Sequence, residues 1–133
     1  MMYALDTNII IHMLNHTPIV LRRRDEAVGR GVKVVIPPYV NFEIRRGFLY
    51  VSAPAKEQAY RQICTRCPVG EMSAESWELA AELYAEKRRA GRTVDDADLL
   101  IAAFCIVGGY TLVTNNTRHF DGIDGLQLEN WAV

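Results

Sequence analysis

Residues 93–116 read TVDDADLLIAAFCIVGGYTLVTNN, and this stretch decides the fold. Three aspartates, Asp95, Asp96 and Asp98, precede an apolar run from Leu99 to Val107 that stops at Gly108-Gly109. Acids in a first turn and glycine past the end are helix punctuation. The spacing predicts a helix that begins near Thr93 to Asp96. It is apolar nearly all round, so it belongs in the interior. Tyr110 to Thr114 follows as a strand, and Asn115-Asn116 breaks it.

The same alternation runs outward from this unit. Met1 to Leu5 is an unbroken apolar run ending at Asp6, with the length of a strand buried on both faces. Ile9, Ile10, Met13 and Leu14 recur at helical spacing. Val32 to Ile36 is β-branched apart from Lys33, and Pro37-Pro38 ends it. Tyr39 to Tyr50 reads as a helix with proline at its start, where a missing N–H is harmless. Ala55 to Cys64 reads as another. Ser73 has the position of an N-cap with Glu75 in the first turn, and Trp77, Ala80, Ala81 and Tyr84 give that helix an apolar face. Lys87, Arg88 and Arg89 complement its macrodipole, and Gly91 ends it. Leu126 and Leu128 alternate with Gln127 and Glu129, as in a half-buried edge strand. Strands alternating with helices imply an α/β fold, a parallel sheet with helices on its faces. Without repeat, low-complexity tract or linker, residues 1–133 are expected to form one domain.

Composition narrows the function. Of 133 residues, 50% are hydrophobic and 23% charged, which excludes disorder and a disulfide scaffold. With 15 basic and 16 acidic residues, no general cationic coat grips nucleic acid, although a local basic patch remains open. Met1 to Ile10 has no basic leader pattern, and no apolar run approaches the ~20 residues of a membrane span. Cys64, Cys67 and Cys105 are an odd set, as in a reduced, cytoplasmic protein. Cys64-x-x-Cys67 has no second pair and no nearby His, and reads as core thiols. His12, His16 and His119 have no serine elbow to serve and read as surface residues, with His119 near the site described next. No phosphate-binding glycine loop is present.

In a parallel sheet, ligands bind beyond the carboxyl ends of the strands. Asp6 directly follows the first strand. Glu43 sits about a turn into the helix after Val32 to Ile36. Asp98 lies in the first turn of the helix leading into Tyr110 to Thr114, and Asn115 and Asn116 directly follow that strand. Four distant segments thus deliver acids or amides to one sheet edge. Clustered carboxylates raise one another's pKa unless a cation intervenes. Magnesium and manganese prefer such oxygens and leave room for phosphate. The chemistry expected is metal-assisted hydrolysis of a phosphate ester. Each residue also has a plainer role. Asp6 suits an N-cap, Glu43 suits a surface pair with Arg45 or Arg46, the three aspartates suit dipole partners, and Asn115-Asn116 suits a turn. Their conjunction at one edge favours the site.

These residues carry a resemblance. Leu5-Asp6-Thr7-Asn8, Glu43-Ile44-Arg45-Arg46-Gly47, Asp98-Leu99-Leu100-Ile101-Ala102-Ala103 and Leu112-Val113-Thr114-Asn115-Asn116 with Phe120, Gly125-Leu126 and Glu129-Asn130-Trp131 follow one another in a set order. In this the chain resembles PIN-domain ribonucleases, in particular the VapC toxins of bacterial toxin–antitoxin pairs. The resemblance implies a three-layer α/β/α fold with a central, mainly parallel sheet, and an endoribonuclease dependent on Mg2+ or Mn2+. It implies that Asp6 and Asp98 bind metal and that Glu43 helps hold metal or water. The family's fourth acidic position falls near Asn116, a neutral and weaker ligand. Thr7 and Asn8 are expected to orient Asp6 or touch substrate. Asn115 is grouped with them, and Asp95 or Asp96 would at most supplement the cluster. Arg45 and Arg46, beside Glu43, are the expected phosphate contacts. The resemblance also implies a VapB-like antitoxin that covers the site, a homodimer, a larger assembly with the antitoxin, operator DNA bound only through it, and no membrane partner. Two other readings stand beside this one. A degenerate PIN module would only bind antitoxin or RNA, which Asn116 favours. A haloacid-dehalogenase-like phosphatase would use Asp6 as nucleophile, but that family wants a second Asp where Asn8 stands.

Overall fold

The computed structural model describes residues 1–133. Four short strands form its centre: β1 (Met2–Leu5), β2 (Lys33–Val35), β3 (Thr111–Val113) and β4 (Leu128–Glu129). They lie in the order β2-β1-β3-β4, and every pairing is parallel. Leu5 pairs with Val113 and Ala4 with Val35, so β1 is central and its carboxyl end is level with that of β3. Buried on both faces, β1 and β3 contain almost no polar side chain, as such strands require.

Six helices flank the sheet: α1 (Thr7–Leu14), α2 (Pro18–Gly29), α3 (Pro38–Tyr50), α4 (Pro54–Arg66), α5 (Ala74–Arg89) and α6 (Asp96–Gly108). The arrangement is the three-layer α/β/α one that the alternating pattern implies. α5 lies along α6, α6 also meets α3 and β3, and α1 packs against α2, α3 and α4. Residues 99 and 101–105 of α6 are buried, and the helix closes on Gly109 in the left-handed conformation, φ 75°. Near the C-terminus, Trp131 meets Tyr3 of β1 edge-on, with ring centroids 5.2 Å apart. No helix is long and apolar enough to cross a membrane.

Several details depart from the sequence reading. α2 was not foreseen: it buries only Val20 and Ala27, and its three arginines hide that thin stripe. Ile36 continues beyond β2 into a parallel bridge with Val69, closed by Ile36 N–H to Pro68 O and Gly70 N–H to Ile36 O, both 2.9 Å. On α5 the buried stripe is Ser76, Ala80, Leu83 and Lys87. Trp77, expected on the inner face, is 56% exposed, and Tyr84 is exposed too. Lys87, expected as a solvated dipole partner, is buried and donates to the Gly122 carbonyl. The cysteines are free thiols, two of them buried, in keeping with the core reading.

Candidate active site

Asp6 is the single residue between β1 and α1, directly past the end of a central strand and the N-cap of the helix that follows. Its Oδ1 accepts from Thr7 N–H at 2.8 Å. Its Oδ2 accepts from the Thr114 hydroxyl at 2.8 Å and from Asn8 Nδ2 at 3.2 Å. The N-cap role and the site role are therefore one geometry, since capping turns the carboxylate out beyond the sheet edge. Asp6 is only 7% exposed, and three donors compensate its lost hydration.

Thr114, directly after β3, is fully buried. Its hydroxyl donates to Asp6 and accepts from Asn8 Nδ2 at 3.2 Å and Asn116 N–H at 3.0 Å. That uses the one proton and both lone pairs of a hydroxyl. Asn8 is equally committed, because its Oδ1 accepts from Asn115 N–H at 3.0 Å. Thr7 links the next carboxylate: its hydroxyl donates to Glu43 Oε1 at 3.1 Å. No buried side-chain nitrogen or oxygen anywhere in the chain lacks a partner.

Asp98 faces this cluster from the first turn of α6. The N-cap of that helix is Asp95, whose side chain makes no capping bond, and Asp95 and Asp96 point to solvent. Asp98 instead is largely covered, its side chain 20% exposed, with His119 Nδ1 3.9 Å from Oδ2. Burial pushes its carboxyl up to about 6. His119 opposes the shift, while the Asp6, Asp95 and Glu43 carboxylates add to it. Asp98 thus feels the charge of Asp6 and Glu43, which lie far from it in the chain.

The PIN domain family matches residues 3–126. Ribonuclease VapC2 of Rickettsia felis is 32% identical over 98% of both chains. The tRNA(fMet)-specific endonuclease VapC of Shigella flexneri is 30% identical, again over 98% of both. Among solved structures, a VapBC2 complex from Rickettsia felis bound to a promoter DNA fragment superposes with a TM-score of 0.89 at 30% identity, covering 98% of this chain and 99% of that one. The chain belongs to the VapC ribonucleases of the PIN-domain family.

In this VapC-family chain the acids and amides expected at the edge do gather there, with unequal engagement. Asp6, Thr7, Asn8, Glu43 and Thr114 form one hydrogen-bonded network, and Asp98 stands across from it. Asn115 contributes its N–H to Asn8, and its Nδ2 lies 3.2 Å from His12 Nε2. Asn116 uses only its backbone N–H, and its amide side chain is exposed and makes no hydrogen bond. Arg45, expected at a phosphate, turns away to α4, where Nη1 meets Glu57 at 2.6 Å. Arg46 stays beside Glu43 at 3.8 Å and lies over the Phe42 ring. Thr114 escaped the sequence reading as a functional residue. The available signal was a hydroxyl at the exit of a buried strand, directly before Asn115-Asn116.

Asp6, Glu43 and Asp98 offer oxygen donors of the type a hard divalent cation takes. The Asp98 carboxyl is held up by burial first and then by the Asp6, Asp95 and Glu43 carboxylates, and no side-chain hydrogen bond reaches it. No three His, Cys, Asp or Glu side chains stand close enough together in this structure to hold a metal ion. Magnesium rarely uses an all-protein cage, binding through one or two carboxylates with waters and phosphate oxygens completing its shell.

Proposed function

We propose that this protein is the toxin of a toxin–antitoxin pair and an Mg2+- or Mn2+-dependent endoribonuclease, working in the cytoplasm as one domain. Asp6 and Asp98 hold the cation, Asn116 adds a neutral oxygen once its free side chain turns inward, and Glu43 assists through a bound water. When bound, the cation supplies Lewis acidity to an RNA phosphodiester and lowers the pKa of the attacking water. The chain's own residues set the stage for that. The Thr114 hydroxyl, Thr7 N–H and Asn8 amide fix the Asp6 carboxylate in one rotamer. Thr7 orients Glu43 toward the same space. Glu43 would then take the proton of the attacking water while the leaving 3′-oxygen takes one from solvent, which gives 5′-phosphate and 3′-hydroxyl ends.

The observation that carries this reading is the hydrogen-bonded network of Asp6, Thr7, Asn8, Glu43 and Thr114 at one sheet edge, with Asp98 in the first turn of α6 beside it. Transfer RNA is the first substrate to test, given the name of the Shigella flexneri relative. A VapB-like partner is expected from the VapBC assemblies that share this fold. Its arginine would satisfy the same carboxylates bidentately. Operator DNA is reached through that partner, and the toxin pairs with a second copy. A phosphatase with Asp6 as nucleophile is disfavoured, because Asn8 stands where that chemistry needs a second Asp, and its amide is committed to Asp6, Thr114 and Asn115.

The experiment is cleavage of total transfer RNA by antitoxin-free protein in magnesium, manganese or EDTA. Discrete fragments are expected with either metal and none with EDTA. Asp6→Asn and Asp98→Asn should each lose at least 100-fold in rate, and full activity in both would sink the mechanism. Cleavage confined to ribosomal RNA would move the substrate and keep the chemistry. Silence on both RNAs, with no metal bound in calorimetry, would leave a binding module.

A further inference from the structure

Beside Asp98 the surface opens into a cleft of about 310 Å3 that the carboxylate network does not use. Its cationic wall is Arg92, Arg118 and His119, and Asp95 and Asp121 lie among them. Neither Arg92 nor Arg118 forms an ion pair or side-chain hydrogen bond, although carboxylates line the same cleft. Arg22, Arg30, Arg88 and Arg89 are also without an acid partner, but Arg92 and Arg118 are the two arginines that line this cleft.

Both guanidinium groups are carried on fixed backbone. Arg92 N–H donates to Lys87 O at 2.9 Å, just past the end of α5. Its head lies flat on Gly122, where an added Cβ would sit 2.9 Å from Nη1. Gly122 has φ +81°, and its carbonyl is held by buried Lys87. Lys87 is thus spent on the turn that supports Arg92 and is not itself free for ligand. Arg118 stands on the 3-10 turn Thr117–Phe120, anchored by buried Phe120. Two unpaired guanidinium groups, held on rigid supports and flanking a metal-type carboxylate, match a phosphate in charge and fork geometry.

We propose that Arg92 and Arg118 bind a backbone phosphate of the RNA next to the phosphodiester at Asp6 and Asp98, so that the strand enters or leaves the site along this cleft. The proposal rests on the nuclease reading above and names where that substrate is held. Phosphate contacts position a strand and do not read its sequence. The subsite therefore sets register and affinity, and base preference must lie elsewhere.

The test is RNA binding in EDTA, where no cleavage intervenes, using fluorescence anisotropy of a labelled single-stranded RNA at several salt concentrations. Each backbone contact adds about 0.7 to the slope of log affinity against log salt. Arg92→Ala and Arg118→Ala should each weaken binding severalfold for any sequence. The double variant should flatten the slope by about 0.7, the share of the one phosphate that the pair holds. Arg118→Lys should retain most of the slope, since it keeps the charge. Arg89→Ala, on the exposed end of α5, should change neither. An unchanged slope in the double variant, with metal-dependent cleavage intact in the parent, overturns the subsite and leaves the nuclease standing. Weakened binding of an acidic antitoxin peptide with RNA binding unchanged assigns the cleft to the protein partner and likewise overturns it. A parent protein that neither binds nor cuts RNA overturns both readings.

Discussion

At Thr114 one hydroxyl serves three neighbours, and replacing it tests how far the site depends on positioning. Thr114→Val keeps the shape and removes the hydroxyl, so Asp6 Oδ2 loses its shorter donor and keeps only Asn8 Nδ2, and Asn116 N–H loses its acceptor. An unsatisfied buried group costs about 1–3 kcal/mol. Denaturant melts should show a loss of that size, and RNA cleavage should fall by at least tenfold. Thr114→Ser should recover most of both. Asp98 carries the opposite burden. Its carboxyl is raised from an ordinary 3.8 to about 6, so the fold prefers it protonated. The stabilisation from its proton is complete below pH 4 and is lost as pH rises through about 6. Above that, the ionised group costs on the order of 2 kcal/mol. In EDTA, Asp98→Asn should therefore be more stable than the parent at pH 8 and close to it at pH 4. Urea melts at the two pH values check this, and an equal advantage at both would remove the electrostatic cause. A residue that destabilises the empty fold is what a cation-binding role leads one to expect.

Among the elements, α6 shows what sequence can and cannot say. Its start and stop were legible, because acids and paired glycines have local physical meanings. Gly109 closes it at φ 75°, where a Cβ is strained, so Gly109→Ala should cost about 1 kcal/mol. A thermal melt measures that, and cleavage at 25 °C should persist. The edge placement of Asp6, Glu43 and Asp98 was legible too, since a parallel sheet delivers whatever ends its strands and starts its helices to one rim. The inner face of α5 was not. Trp77 and Tyr84 outweigh Ser76 and Ala80 in hydrophobicity, yet small residues are what allow α5 to lie close along α6. Nor was the direction of Arg45, because two adjacent arginines on a helix point to different sides and only tertiary contact with Glu57 distinguishes them. The Ile36–Val69 bridge joins the two ends of a segment that contains both α3 and α4, and nothing local announces it.

Taken as a whole, the molecule is closed by its two ends. Trp131 is 2% exposed and sits edge-on against Tyr3 in the central strand. Trp131→Ala should cost about 3–5 kcal/mol, like other large aromatic deletions from a core. Because Tyr3 and the site share β1, chemical denaturation followed by fluorescence and by RNA cleavage should give coincident midpoints. A cleavage loss well before the fluorescence change would mean the site frays independently.

β1 has one more implication, and it concerns time. The strand is made first, but its neighbour β3 and the partners Asp98 and Thr114 come in the last third of the chain. Proteins leave the ribosome from the N-terminus at about 5–20 residues per second. A growing or prematurely ended polypeptide exposes Asp6 and Glu43 with nothing across from them. A polypeptide that stops before residues 98–114 lacks Asp98 and Thr114, and the carboxylate centre is assembled only once those residues have folded against β1.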